Sequence, residues 1–266
     1  MIINTLAILL VFYVLVVLAV YIIQRDLLYF PPSEPPSKEH IFIPYISEIT
    51  IETYDKLKLT AWFVPPREGM PIIIHFHGNA GCISGSAYKM QQLAARGYGF
   101  LFPEYRGYCG NAGKPKEKDL INDGLSAINY LKAKNYNENQ IIVYGESLGS
   151  GIAIASAKDL NLKAVIIESG FSSITETAQE IYWYFPASLM VKDSFRNDLR
   201  IKNVKAPLLI IHGSNDNTVN VKQSQKLFNL ANDNPKTLKI VDGGEHNKLF
   251  NFGLIDIVDN WIKTLS

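Results

Sequence analysis

Ser147 stands at the centre of Gly145-Glu146-Ser147-Leu148-Gly149, with Asp216 and His246 downstream of it. A serine hydroxyl is a poor nucleophile at neutral pH. It becomes a good one when a base takes its proton and a third group holds that base in place. Of the five histidines (His40, His75, His77, His212 and His246), His246 is placed to be that base. It lies in Asp242-Gly243-Gly244-Glu245-His246-Asn247, after the last strand-like segment and before the last helical one. Asp216, in His212-Gly213-Ser214-Asn215-Asp216, follows the penultimate strand-like segment and is the candidate acid. Glu168 is the alternative acid, while Asp242 and Glu245 crowd the histidine's own short loop. The order Ser147, Asp216, His246 is nucleophile, acid, base, which suits acyl chemistry through a covalent intermediate. Such chemistry also needs N–H donors for an oxyanion. The candidates are the backbone N–H of Leu148 and that of Asn79, with Ala80 the alternative to Asn79. His77 and Gly78, just before them, are read as structural.

Elements must place these residues. Ile141–Tyr144 is a β-branched run that enters the pentapeptide, and Ile152-Ala153-Ile154-Ala155 continues beyond it as a small-residue helix. Strand, sharp turn and helix describe a nucleophile elbow, with the serine strained and exposed at its apex. The other reading of the pentapeptide is a serine that caps an ordinary helix. Upstream, Ile49–Tyr54 and Leu57–Val64 form a predicted hairpin, and Ile72–His77 is apolar enough for a central strand. Helical segments are predicted over 84–96, 116–134, 219–231 and 248–265, alternating with strands over 100–103, 162–167, 207–213 and 237–241. This alternation predicts a mostly parallel sheet covered on both faces, with function at the carboxyl ends of its strands. The aromatic stretch from Phe171 to Arg200 fits the alternation less well. Tyr182, Trp183, Phe185, Leu189 and Met190 are its candidates for an acyl-site wall, core packing being the alternative.

The 266 residues allow one sizeable domain. A net charge of +1 gives no electrostatic footprint for nucleic acid. Cys82 and Cys109 are read as free thiols, and the Cys and His spacings match no zinc motif, so neither metal nor cofactor is expected. Gly110–Lys114 lacks the glycine and hydroxyl residue of a phosphate-binding loop, and no dinucleotide fingerprint follows a strand. Residues 1–24 carry no charged side chain, and Thr5–Ile23 is long enough to span a bilayer. A cleaved signal peptide would need a basic start and a small-residue cleavage site, which are missing here. The expected organisation is therefore a transmembrane anchor over 1–24, a stiff Pro-rich linker over 25–39 and a catalytic domain over 40–266. Arg25 and Lys38 follow the span with no basic residue before it, so the positive-inside rule points to a cytoplasmic domain.

Five pieces in order carry a family resemblance: His77-Gly78-Asn79-Ala80-Gly81, Tyr105-Arg106-Gly107-Tyr108, Gly145–Gly149, His212–Asp216 and Gly244-Glu245-His246. Over residues 45–265 the chain resembles the α/β-hydrolase superfamily. Within it, the chain is similar to membrane-anchored serine hydrolases of depalmitoylase-like and serine aminopeptidase-like type. The resemblance implies an α/β-hydrolase fold with a mostly parallel eight-stranded sheet, and cleavage of acyl esters or thioesters in small molecules or acylated proteins. A peptidase or amidase of the same fold, and a non-catalytic membrane-side binding module, are the alternatives. Cys109 departs from the pattern, where relatives carry glycine or a small residue, and is expected to affect local packing.

Overall fold

The computed structural model describes residues 2–265, so Met1 and Ser266, the outer ends of the expected anchor and domain, lie outside it. The chain runs α1 (Ile2–Leu28), β1 (Ser47–Glu52), β2 (Lys58–Val64), β3 (Ile72–Phe76), α2 (Ile83–Ala95), β4 (Gly99–Pro103) and α3 (Glu117–Ala133). It continues with β5 (Ile141–Glu146), α4 (Leu148–Ser156), β6 (Ala164–Glu168), α5 (Ile174–Ile181), α6 (Ala187–Met190) and α7 (Asn197–Arg200). It closes with β7 (Leu208–Gly213), α8 (Val221–Leu230), β8 (Lys236–Val241) and α9 (Leu254–Lys263).

The strands form one eight-stranded sheet in the order β1-β2-β4-β3-β5-β6-β7-β8. The β1–β2 and β2–β4 pairs are antiparallel, and the pairs from β4 through β8 are parallel. This is the mostly parallel α/β-hydrolase sheet that the sequence led us to expect. Alternating side chains feed two cores. Ile72, Ile74, Ile141 and Val143 pack on one face with Leu120, Ile128, Ile152 and Leu227 from α3, α4 and α8. Ile73, Ile142 and Tyr144 pack on the other with Met90, Leu93, Leu254 and Val258 from α2 and α9. The apolar runs of β3 and β5 are continuous in sequence because both of their faces are covered. The chain leaves β3 to one side through α2 and β4, then returns on the other side as β5. The carboxyl ends of β3 and β5 thus flank a topological switch point, where crevices open in open α/β sheets.

Two boundaries differ from expectation. The predicted closing helix is interrupted: a short 3-10 turn over Leu249–Phe252 precedes Gly253, whose φ of 79° breaks the helical path before α9. α1 extends past residue 24 through Arg25 to Leu28, with the basic Arg25 in its last turn, where the helix dipole favours a cation. The proline segment that follows is bound to the domain and does not act as a free spacer. Cys109 N donates to Pro32 O (2.7 Å), Phe30 N to the Asn79 side-chain oxygen (3.2 Å) and Ser37 N to Ser84 Oγ (2.9 Å). An extended segment has no internal hydrogen bonds, so its main-chain groups are free to pair with the loops beneath. Cys109 holds φ at 47°, a left-handed conformation that favours glycine.

Candidate active site

The elbow follows from the two glycines that flank Ser147. A Cβ on Gly149 would lie 2.1 Å from Phe76 O, and one on Gly145 would lie 2.4 Å from Gly149 O. Only residues without a side chain let α4 rise this close to β3 and β5. Between them Ser147 adopts φ 50° and ψ −115°, a conformation that costs an L-residue about 1–3 kcal/mol. It is held there by its own N–H, which donates to Glu168 O at the end of β6 (2.9 Å).

The loop after β8 brings His246 to this serine, with Nε2 2.9 Å from Ser147 Oγ. Nδ1 of the same ring is 2.6 Å from Asp216 Oδ2, contributed by the loop after β7. Burial by itself raises the Asp216 carboxyl. Hydrogen bonds from His212 and His246 outweigh it and hold the group well below the usual carboxylate range. Asp216 is therefore an acceptor only, which puts the imidazole proton on Nδ1 and leaves the Nε2 lone pair facing the Ser147 hydroxyl. Asp216 Oδ1 accepts from the N–H groups of Thr218 and Val219, each at 2.8 Å. Glu168, the alternative acid, serves elsewhere. It accepts from Tyr144 Oη (2.6 Å) and pairs with Lys89 Nζ (2.6 Å), which also reaches Glu146 (3.1 Å). This buried ion cluster lies beneath the elbow.

Gly78, at the start of the loop after β3, is the neighbour of the serine: a Cβ there would lie 3.6 Å from Ser147 Cβ. Leu148 is the first residue of α4, so its N–H has no intrahelical acceptor. Among the described residues no protein group accepts from the main-chain N–H of Leu148 or Asn79. The Asn79 side chain is fully engaged: it donates to Leu28 O and accepts from Phe30 N and Tyr108 Oη. His77 braces the same loop through Glu104 (2.8 Å), as expected of a structural residue.

A cleft of about 650 Å³ opens over Ser147 and His246. Its walls are Leu27 and Leu28 from the end of α1 and Phe30 just beyond it, with Phe171, Ile174, Thr177 and Ile181 from the segment around α5. Tyr182, Trp183, Phe185, Leu189 and Met190 do not line it, which corrects the expected wall. One face of α5, from Ile174 through Thr177 to its last residue Ile181, reaches the cleft, and the aromatic run follows beyond the helix end with Trp183 exposed. Sequence reasoning missed the contribution of α1, for which there was no local signal.

His212 was also unassigned. Its Nε2 faces two acceptors, Asp216 Oδ2 at 3.0 Å and Val219 O at 2.9 Å, so that nitrogen carries a proton. Its spacing of four residues from Asp216, at the end of a strand, was the available signal. Cys82 and Cys109 are free thiols beside Glu104, and burial pushes both upward in pKa, away from thiolate. With Glu104 they form a group of potential metal donors that sequence spacing did not reveal. The fit to an ion is poor, because Glu104 is already held by His77, Ile83 N and Tyr105 N.

The sequence pattern of the prolyl oligopeptidase family matches residues 84–248. An uncharacterized protein of Mycobacterium tuberculosis is 32% identical over 235 residues, covering 87% of this chain and 83% of the relative. The lysophosphatidylserine lipase ABHD12 of Rattus norvegicus is 34% identical over 185 residues, 60% of this chain and 45% of that one. Among solved structures, the Pyrococcus furiosus esterase Pf2001 superposes with a TM-score of 0.70 at 19% identity, covering 89% of this chain and 98% of the esterase. An acylaminoacyl peptidase of Pyrococcus horikoshii superposes at 0.68 with 22% identity, covering 82% of this chain and 41% of the peptidase. At these identities the two structures establish the α/β-hydrolase fold.

Proposed function

The chain belongs to the prolyl oligopeptidase family, a serine hydrolase of the α/β-hydrolase fold, and from that premise we propose that it is a membrane-tethered esterase that cleaves acyl esters or thioesters through Ser147, His246 and Asp216. The observation that carries this reading is the hydrogen-bonded chain from Ser147 Oγ through both imidazole nitrogens to Asp216, built on a strained elbow. In the proposed reaction Ser147 Oγ attacks the acyl carbonyl carbon while its proton passes to His246 Nε2. Asp216 steadies the imidazolium, and the N–H groups of Leu148 and Asn79 stabilise the oxyanion. The C–O or C–S bond then breaks, and His246 gives its proton to the leaving group. Water, deprotonated by the same nitrogen, hydrolyses the acyl-enzyme and restores Ser147. Hydrolysis needs no cofactor in this scheme.

Apolar cleft walls support an acyl chain as the bound group, and Ile3–Leu28, long and apolar enough to cross a membrane, supports the tether. A fluorophosphonate probe should label the full chain in detergent, and Ser147→Ala should abolish labelling and lower ester hydrolysis by about 10⁴-fold or more. Equal labelling of the variant would sink the assignment. The family's name carries a second reading, amide cleavage. A parallel panel of p-nitrophenyl esters, S-acyl-cysteine compounds and aminoacyl anilides decides between them by relative kcat/KM.

A further inference from the structure

The segment displaced from the cleft wall has a different destination. From Ile181 to Val191 the chain reads Ile-Tyr-Trp-Tyr-Phe-Pro-Ala-Ser-Leu-Met-Val, without a charged residue, between Glu180 and Lys192. Its large side chains face outward, Trp183 being 78% and Leu189 84% exposed.

This tip leans on α1. Tyr13 Oη donates to Tyr184 O (2.8 Å), and the Tyr13 and Phe185 rings are 6.3 Å apart. Further along, Gln24 Nε2 donates to Met190 O (3.0 Å), Lys192 Nζ to Tyr21 O (2.9 Å), and Arg25 pairs with Asp193 (2.8 Å). The charged contacts thus lie where α1 leaves its apolar stretch, and the aromatic contacts lie deep within it. Tyr13 precedes Ile23 by ten residues, about 15 Å along a helix axis. A hydrocarbon core is about 30 Å thick, so a spanning α1 carries the tip into one leaflet.

The carbonyls of the tip fit that environment. Main-chain carbonyls in lipid must be paired within the protein, whereas water makes no such demand. Every carbonyl from Tyr182 to Ala187 accepts a hydrogen bond. The donors, in order, are Phe185 N, Gln179 Nε2, Tyr13 Oη, Ala187 N, Leu189 N and Val191 N.

We propose that the 181–191 tip is inserted in the domain-side leaflet of the membrane that α1 spans, and that the cleft between them admits membrane-resident acyl esters laterally from that leaflet. Ile181, at the base of the tip, and Leu27, at the end of α1, both wall the cleft, which joins its mouth to the lipid-facing surface. The inference rests on α1 being a membrane span and on Ser147 being the nucleophile.

Two measurements on the full chain in phosphatidylcholine vesicles test it. Lipids brominated along the acyl chain should quench tryptophan emission at least twofold more in the wild type than in Trp183→Phe, and aqueous iodide should not quench the Trp183 component. Quenching of that component by iodide and not by bromolipid would overturn the insertion. A Trp183→Asp, Leu189→Asp double variant should hydrolyse a long-chain fluorogenic acylglycerol in vesicles at least tenfold more slowly. Its hydrolysis of soluble p-nitrophenyl butyrate should stay within twofold. Equal change in both substrates would overturn the lateral route. If the wild type hydrolyses no ester, the esterase reading fails, while the quenching still decides the insertion.

Discussion

Asp216 collects more of the site's hydrogen bonds than either partner. One oxygen faces both His246 and His212, and the other accepts two main-chain N–H groups. Replacement by Asn keeps the shape but lets the amide donate, which turns the His246 tautomer around. Asp216→Asn should therefore lower kcat by about 10⁴-fold with little change in KM, measured with a soluble ester. His75 poses a different problem. It is buried between Phe102 and Tyr144, and neither ring nitrogen has a hydrogen-bond partner among the described residues, the Glu146 carboxylate standing 3.9 Å from Nε2. Burial pushes its pKa down from 6.5 to about 3. Between those values the unfolded chain takes up a proton that the folded one refuses, so stability falls as pH drops through that window. This one group contributes up to about 1.4 kcal/mol per pH unit. His75→Phe should flatten the acid limb of stability between pH 6.5 and 4, followed by denaturant midpoint. Identical slopes would show that other groups set the acid limb.

The elements were legible to the degree that their chemistry was local. β3, β5 and β7 announced themselves as apolar runs because both faces are buried, and the elbow glycines stood in the sequence at the spacing the close approach to Phe76 requires. Gly149→Ala should accordingly cost more than about 3 kcal/mol or prevent folding, whereas Gly85→Ala on α2, with nothing within 4 Å, should stabilise by about 0.5–1 kcal/mol. Comparing the two denaturation midpoints separates close approach from helix propensity. The cleft walls were not legible, because Leu27 and Leu28 meet Ile174 and Ile181 only after some 150 residues of intervening fold. A composition rich in aromatics does not say which way they point. For the same reason the role of His212 needed coordinates: a histidine at a strand end reads alike whether it faces the core or a carboxylate.

For the molecule as a whole, the contact between the proline segment and the domain sets the geometry. Leu28 and Phe30 are tied to Asn79, and Pro32 to Cys109, so the loop assigned to the oxyanion is joined directly to the end of α1. A free linker of about a dozen residues would give the domain a reach of about 20 Å from its bilayer. Fastened in this way, the domain would have none on the proposed anchor, and its cleft would face only the membrane that holds it. Reconstituted protein should hydrolyse a fluorogenic lipid in its own vesicles and leave the same lipid untouched in a second vesicle population mixed with them, over a time short against spontaneous lipid exchange. Comparable release from both populations would mean that the segment detaches. A hydrolase so mounted is confined to its own surface: its supply of substrate is set by diffusion in two dimensions, and two apposed membranes could carry it without either editing the other.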